Sequence, residues 1–235
     1  MRHFIKVFCI ALAMLIASCG ETTPPPPGSE SNPLCTTKID STVPAWVKQS
    51  FTCIEAFMSG TDIIIKTKSL PPYKSYYYGE GNPMFEPIPA GQTPNLQNKI
   101  VAQNFQFTIS SKPVVNATTT RTMQGPIGVA VNSVVFFNNL NADLVPLVQE
   151  FIAFDAGNAH PTRAGIYHYH VEPIKITNND AKLVGVLRDG FPVYGQKDED
   201  GTVPGNLDSA HGHKHVTTFF PNGIYHYHIT PVDPY

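Results

Sequence analysis

The hexapeptide Gly-Ile-Tyr-His-Tyr-His occurs twice, at Gly165 to His170 and at Gly223 to His228. Such an alternating string constrains the backbone strongly. On a β-strand successive side chains point to opposite faces, so His168 and His170 share one face, His226 and His228 share another, and the tyrosines lie behind them. Two imidazoles on one strand face make a chelate for a metal ion.

The repeat reaches beyond the hexapeptide. Ile127-Gly128-Val129 stands 40 positions before Tyr167, and Val184-Gly185-Val186 stands 41 before Tyr225. Between these landmarks Asp155 to His160 aligns with Asp208 to His213, acid with acid and histidine with histidine. The pattern predicts two duplicated hairpin units, about 124–173 and 182–231, each with three matched histidines. Leu183–Arg188 and Phe191–Tyr194 flank Asp189-Gly190, a pair suited to a type I′ turn with positive φ at both residues. The earlier counterpart is Ile127–Val131 and Val134–Phe137 around Asn132-Ser133.

Eight of the nine histidines fall between His160 and His228. The matched set His160, His168, His170, His213, His226 and His228 forms the candidate metal ligands. His211 and His215 are secondary candidates because they alternate with His213. Asp155 and Asp208 complete the set as ligands, as acceptors for the second ring N–H of a ligating histidine, or as turn caps. Imidazoles without free thiolates suit zinc, copper(II), nickel or non-haem iron, with copper or zinc the expected cofactor. The four tyrosines of the repeat are expected to pack in a core.

The chain opens with Arg2 and Lys6, runs apolar from Phe8 to Ile16, and reaches Ile16-Ala17-Ser18 before Cys19. This reads as an export signal over 1–18, too short to span a bilayer. Its last residues resemble the lipobox of bacterial lipoproteins, which implies lipidation at Cys19 and a membrane anchor. Residues 19–34, with Pro24 to Pro27, read as a solvated, disordered tether. Cys35 and Cys53 then remain for a disulfide, as an exported chain in an oxidising compartment allows. With 16 Lys+Arg and 18 Asp+Glu the chain carries −2, and no basic stripe exists to neutralise phosphates, which excludes nucleic acid as a natural partner.

The rest of the sequence predicts a mainly β domain over 35–235 with one or two short helices. A short helix is expected from Val43 to Phe51 and another near Leu144 to Phe151. Strands are expected at Phe51–Met58, Asp62–Lys68, Gln103–Ile109 and the β-branched run Val114–Thr122, with an irregular loop over 69–98.

Together, Gly125-Pro126-Ile127-Gly128-Val129, His160, both Tyr-His-Tyr-His strings, Asp189-Gly190-Phe191-Pro192-Val193-Tyr194-Gly195 and Leu207-Asp208 with Gly212-His213 resemble the YHYH domain family of exported proteins, over roughly Gln124 to Pro231. The resemblance implies export and a histidine-rich site rather than a particular reaction. At Gly157 and Ala210, where the family often carries cysteine, this chain has none, so no disulfide is expected there.

Three functions follow. The first is an extracytoplasmic, membrane-anchored metal-binding protein, periplasmic or on the cell surface, with its histidines in one shared site or two. The second is a metal-dependent enzyme, hydrolase or oxidoreductase, with an open coordination position. The third is a surface lipoprotein whose histidines form a structural network.

Overall fold

The computed structural model describes residues 33–231, apart from 93, 95, 148–149 and 177–179. The export signal, Cys19 and nearly all of the expected tether lie outside the described residues. Among the described residues no helix is long and apolar enough to cross a membrane.

The protein is mainly β. A four-stranded sheet is built from β1 (Lys38–Ile39), β2 (Ile54–Ser59), β3 (Asp62–Thr67) and β4 (Phe105–Ser110), in that spatial order. Helix α1 (Ala45–Ser50) starts after Pro44, whose fixed φ suits a helix start, and buries Trp46 and Val47. Cys35 and Cys53 form a disulfide that ties the approach to β1 to the start of β2.

The second sheet has eight strands: β5 (Gly128–Ala130), β6 (Val135–Phe136), β7 (Ala159–Pro161), β8 (Tyr167–Tyr169), β9 (Leu183–Leu187), β10 (Pro192–Tyr194), β11 (Gly212–Thr217) and β12 (Phe220–His228). Their order is β11-β12-β10-β9-β5-β6-β8-β7. Read outward from the antiparallel β5–β9 pair, each half has the same plan: a hairpin, a parallel neighbour, and an antiparallel edge strand. At the centre Val129 pairs with Val186, its own counterpart in the repeat, while Gly128 and Gly185 pair with Leu187 and Ala130 on either side. The duplication in sequence is therefore a pseudo-twofold in space.

Both glycines are required by this crossing. A Cβ on Gly128 would lie 2.5 Å from the Val186 carbonyl oxygen, and one on Gly185 would strike the Val129 carbonyl oxygen and the Phe136 ring.

Each face of the large sheet has a core. Val129, Val135, Val186 and Tyr194 pack with Ile63, Ile65, Phe107, Ile109 and Trp46 of the first sheet and its helix. Val134, Phe136, Tyr167, Tyr169 and Val193 pack on the other face against Tyr76 and Tyr77. Tyr76 and Tyr77 are both buried on a single 3₁₀ turn, Tyr76–Tyr78, within the long loop.

Three local expectations are corrected. Only Gly190 has positive φ in the Asp189-Gly190 turn, and Leu187 N–H donates to Phe191 C=O across a three-residue loop, so the turn is not type I′. Its counterpart places Ser133 at φ 80°, the same left-handed position. The run Val114–Thr122 forms no strand: Val114 and Val115 are exposed, and no neighbouring edge pairs with them. Near Leu144–Phe151 the described residues form turns, and the helical turn is a 3₁₀ segment, Glu150–Ala153, because Pro146 interrupts an α-helical run.

Candidate metal centres

The alternation in each Tyr-His-Tyr-His string sorts its side chains as expected. His168 pairs in register with Val135 of β6 and with His160 of β7, so His160 and His168 meet across an antiparallel pair. In the second unit His213 of β11 pairs with His226 of β12 in the same way. His170 and His228 follow two residues later on the same faces. The six matched histidines thus form two groups, His160, His168 and His170, and Asp198, His213, His226 and His228, the ligand atoms of each group lying within 4.8 Å of one another. Five inter-strand steps separate β8 from β12, so these are two centres, not one shared site.

The second group has the more complete geometry. The Nε2 atoms of His213, His226 and His228 stand 3.1–3.2 Å apart. Asp198 Oδ1 lies 3.1 Å from His213 Nε2 and 3.4 Å from His228 Nε2. A tetrahedral ion with bonds of about 2.0–2.1 Å sets its ligand atoms about 3.3–3.4 Å apart, close to these separations.

The other ring nitrogens fix the protonation pattern. His226 Nδ1 faces the Ile224 carbonyl at 3.1 Å, His228 Nδ1 the Gly195 carbonyl at 2.7 Å, and His213 Nδ1 the Asn206 Oδ1 at 3.0 Å. A carbonyl oxygen only accepts, so each Nδ1 donates, and in that tautomer each ring turns a lone pair inward at Nε2. Three lone pairs and a carboxylate converge with no proton among them. A cation resolves that repulsion.

The first group repeats the arrangement. His168 Nδ1 donates to Ile166 C=O at 2.8 Å, and His170 Nδ1 donates to Asn138 C=O. The Nε2 atoms of His168 and His170 stand 2.8 Å apart. Phe137 stacks on His168 at 4.0 Å, and Phe154 lies edge-on to His160 at 5.1 Å. Among the described residues no carboxylate joins this group within ligand reach.

Burial favours the neutral, ligating form of His160, His168, His170, His226 and His228. Desolvation, reinforced by His170, lowers His160 to about 3. Desolvation lowers His226 to about 4, partly opposed by its bond to Ile224. His168, His170 and His228 are shifted down by burial as well.

Asp155 and Asp208 lie outside both groups, and their turn-cap role is the one the geometry displays. Asp155 accepts from the Gly157 N–H at 2.8 Å, the Tyr167 hydroxyl at 2.6 Å and the Ser75 hydroxyl. Asp208 accepts from the Ala210 and Gly212 N–H groups and from the Tyr225 hydroxyl at 2.8 Å. Each acid closes the loop before a histidine strand and anchors the first tyrosine of the repeat from behind. His211 sits at φ 60° in that loop, where the first unit has Asn158, and its Nδ1 meets the Thr230 hydroxyl. It joins no group. His215 lies beside the second group rather than in it: its Nδ1 is 3.3 Å from Asp198 Oδ1, the oxygen that also faces the triad, and its ring stacks on His213 at 5.6 Å. At Gly157 the Tyr73 ring fills the space a side chain would need.

Asp198 was not among the expected residues. It lies in the acidic turn Asp198-Glu199-Asp200-Gly201, which reads as a solvated loop, yet it is 6% exposed and in contact with three triad nitrogens. The only available signal was its place between the hairpin and the histidine strand of the second unit.

No curated protein and no solved structure matches the chain. The family model described as YHYH protein matches residues 106–203, a segment that holds the whole first triad and Asp198 and ends before His213. Over that segment the chain is similar to the YHYH family.

Proposed function

We propose that this is an exported, membrane-anchored protein that binds two transition-metal ions, copper or zinc, one in each histidine unit. The reading is supported above all by the three Nε2 lone pairs and the Asp198 carboxylate that converge in the second unit. Each of those imidazoles is already oriented by a hydrogen bond at its far nitrogen, as ligating histidines characteristically are. The ligands are neutral nitrogen and carboxylate oxygen without thiolate, which suits zinc or copper(II). Export is supported by the apolar leader, the Cys35–Cys53 disulfide and the family match. Anchoring rests on the Ser18-Cys19 junction, with lipid on Cys19 and residues 19–34 as the spacer.

Elemental analysis of the purified protein after loading with zinc or copper(II) and desalting tests this reading. Two equivalents per chain are expected, falling to one in His170→Ala and to one in His228→Ala. No bound ion above background removes the proposal.

A second reading, a metal-dependent enzyme, is favoured by the first centre. Three histidines with no fourth ligand in reach among the described residues leave a position for water or a small substrate. Turnover abolished by His168→Ala but retained in His226→Ala would support it.

A further inference from the structure

The two centres differ in one respect that the repeat does not explain. The second has a buried carboxylate against its nitrogens, and the first has none in reach among the described residues. A divalent ion held by three neutral imidazoles keeps its full charge, and partly buried charge is costly without a counter-ion.

Glu150 occupies the corresponding place. Asp198 lies on the connection from β10 to β11, and Glu150 lies on the connection from β6 to β7, at the start of the 3₁₀ turn Glu150–Ala153. That turn leads straight into Phe154, whose ring is stacked with His170 at 6.2 Å and edge-on to His160 at 5.1 Å. The Tyr76 hydroxyl donates to Phe154 C=O at 3.0 Å and the Tyr77 hydroxyl to Ala153 C=O at 2.5 Å, which clamps the segment over the triad. Glu150 Oε2 is shielded from solvent and has no hydrogen-bond partner among the described residues. A carboxylate oxygen in that condition is costly, because it has lost water without gaining a donor. The charge of Glu150 also acts on His170, where it and the hydrogen bond to Asn138 partly oppose the effect of burial.

We infer that Glu150 is the carboxylate of the first centre, a fourth ligand that swings onto an ion held by His160, His168 and His170 and is displaced when another ligand arrives. This deepens the two-ion reading and rests on it. Asp198 is buried and touches its triad directly, so the second centre is closed. Glu150 has several rotatable bonds and stands off the nitrogens, so the first centre exchanges its ligand. The unpartnered oxygen is then the group left waiting for the ion.

The test is a calorimetric titration of the metal-free full chain with zinc, comparing wild type, Glu150→Gln, Glu150→Asp and His170→Ala. Two binding events are expected in wild type, and His170→Ala is expected to lose one. Glu150→Gln keeps nearly the same shape without the charge, and it is expected to weaken that same event by about 10–100-fold. Glu150→Asp is expected to recover part of the loss. The other event, unchanged, serves as the folding control. A Glu150→Gln titration that superimposes on wild type while His170→Ala loses an event overturns the Glu150 assignment alone. Equal weakening of both events by Glu150→Gln also overturns it. If His170→Ala retains both events, the two-ion reading fails and this inference fails with it.

Discussion

A histidine whose Nδ1 donates to a main-chain carbonyl has one nitrogen left for chemistry. In this chain His168, His170, His226 and His228 are all held so, and all turn Nε2 toward a neighbouring imidazole. Their low pKa values give a pH dependence whose sign is fixed. In the unfolded chain each imidazole takes a proton near pH 6.5, whereas in the folded, metal-free protein His226 resists until about 4 and His160 until about 3. The unfolded state therefore binds more protons between these values, and stability falls as pH falls through that window. Each such group contributes a slope of at most about 1.4 kcal/mol per pH unit. Urea titrations of the metal-free protein at pH 7, 5.5 and 4.5 are expected to show a falling midpoint. In the double variant His160→Ala and His226→Ala the slope should be shallower, and an equal slope would contradict the burial of these rings as neutral species. The six matched histidines were legible because strand alternation and the repeat spacing both select them. The role of Asp155 and Asp208 was not, since an aligned acid has the same spacing whether it grips a metal or a tyrosine hydroxyl. Asp198 and Glu150 have no aligned partner at all, because the connections that carry them differ in length between the units.

At the scale of the element, the repeat is welded at β5 and β9. Val129 opposite Val186 places the two halves back to back, and the flanking Gly128 and Gly185 allow carbonyl oxygens to approach where a Cβ would stand. Gly185→Ala is expected to destabilise by about 1–3 kcal/mol, since the added Cβ would meet the Val129 carbonyl oxygen and the Ala130 Cα, backbone that cannot turn aside. Gly60→Ala is a fair comparison for strain alone: it has φ 60° but open space around it, so it isolates the backbone cost from the clash. Denaturant midpoints of the two variants would separate these contributions, and a Gly185→Ala variant as stable as wild type would mean that the β5–β9 register is wrong. The two central hairpins and strands β2, β3 and β4 of the first sheet could be read from hydrophobic pattern and turn residues, whereas the two-residue β1 is too short to leave such a pattern. The parallel pairings β6 with β8 and β10 with β12 could not, because they join segments about thirty residues apart and leave no local signal. The run Val114–Thr122 shows the converse: β-branched residues favour a strand only where a partner edge and a buried face await them, and here Val114 and Val115 face solvent.

For the whole molecule, the two centres sit on opposite flanks of one eight-stranded sheet, each bridging an edge hairpin, so an ion in either staples a terminal strand pair that has few neighbours. An ion that binds only the folded state adds RT ln(1 + [M]/Kd), about 4 kcal/mol at a free concentration a thousandfold above Kd. For a chain of this size about 1 kcal/mol moves the thermal midpoint by about 2–4 °C, so each occupied centre is expected to raise it by about 8–16 °C under that condition. Chelation should therefore lower the midpoint of the loaded protein. His228→Ala should retain part of the chelator effect, through the first centre, and His168→Ala with His228→Ala should abolish it. The disulfide offers an independent contrast. Cys35 and Cys53 close an 18-residue separation at the first sheet, and their loss is expected to cost about 3 kcal/mol, equally with and without chelator. Scanning calorimetry on these variants, with and without a chelator, measures both effects on one scale. A wild-type midpoint indifferent to chelator after metal loading would show that the converging imidazoles form a structural network and hold no ion, because no ligand that binds the native state alone can leave its melting point unchanged.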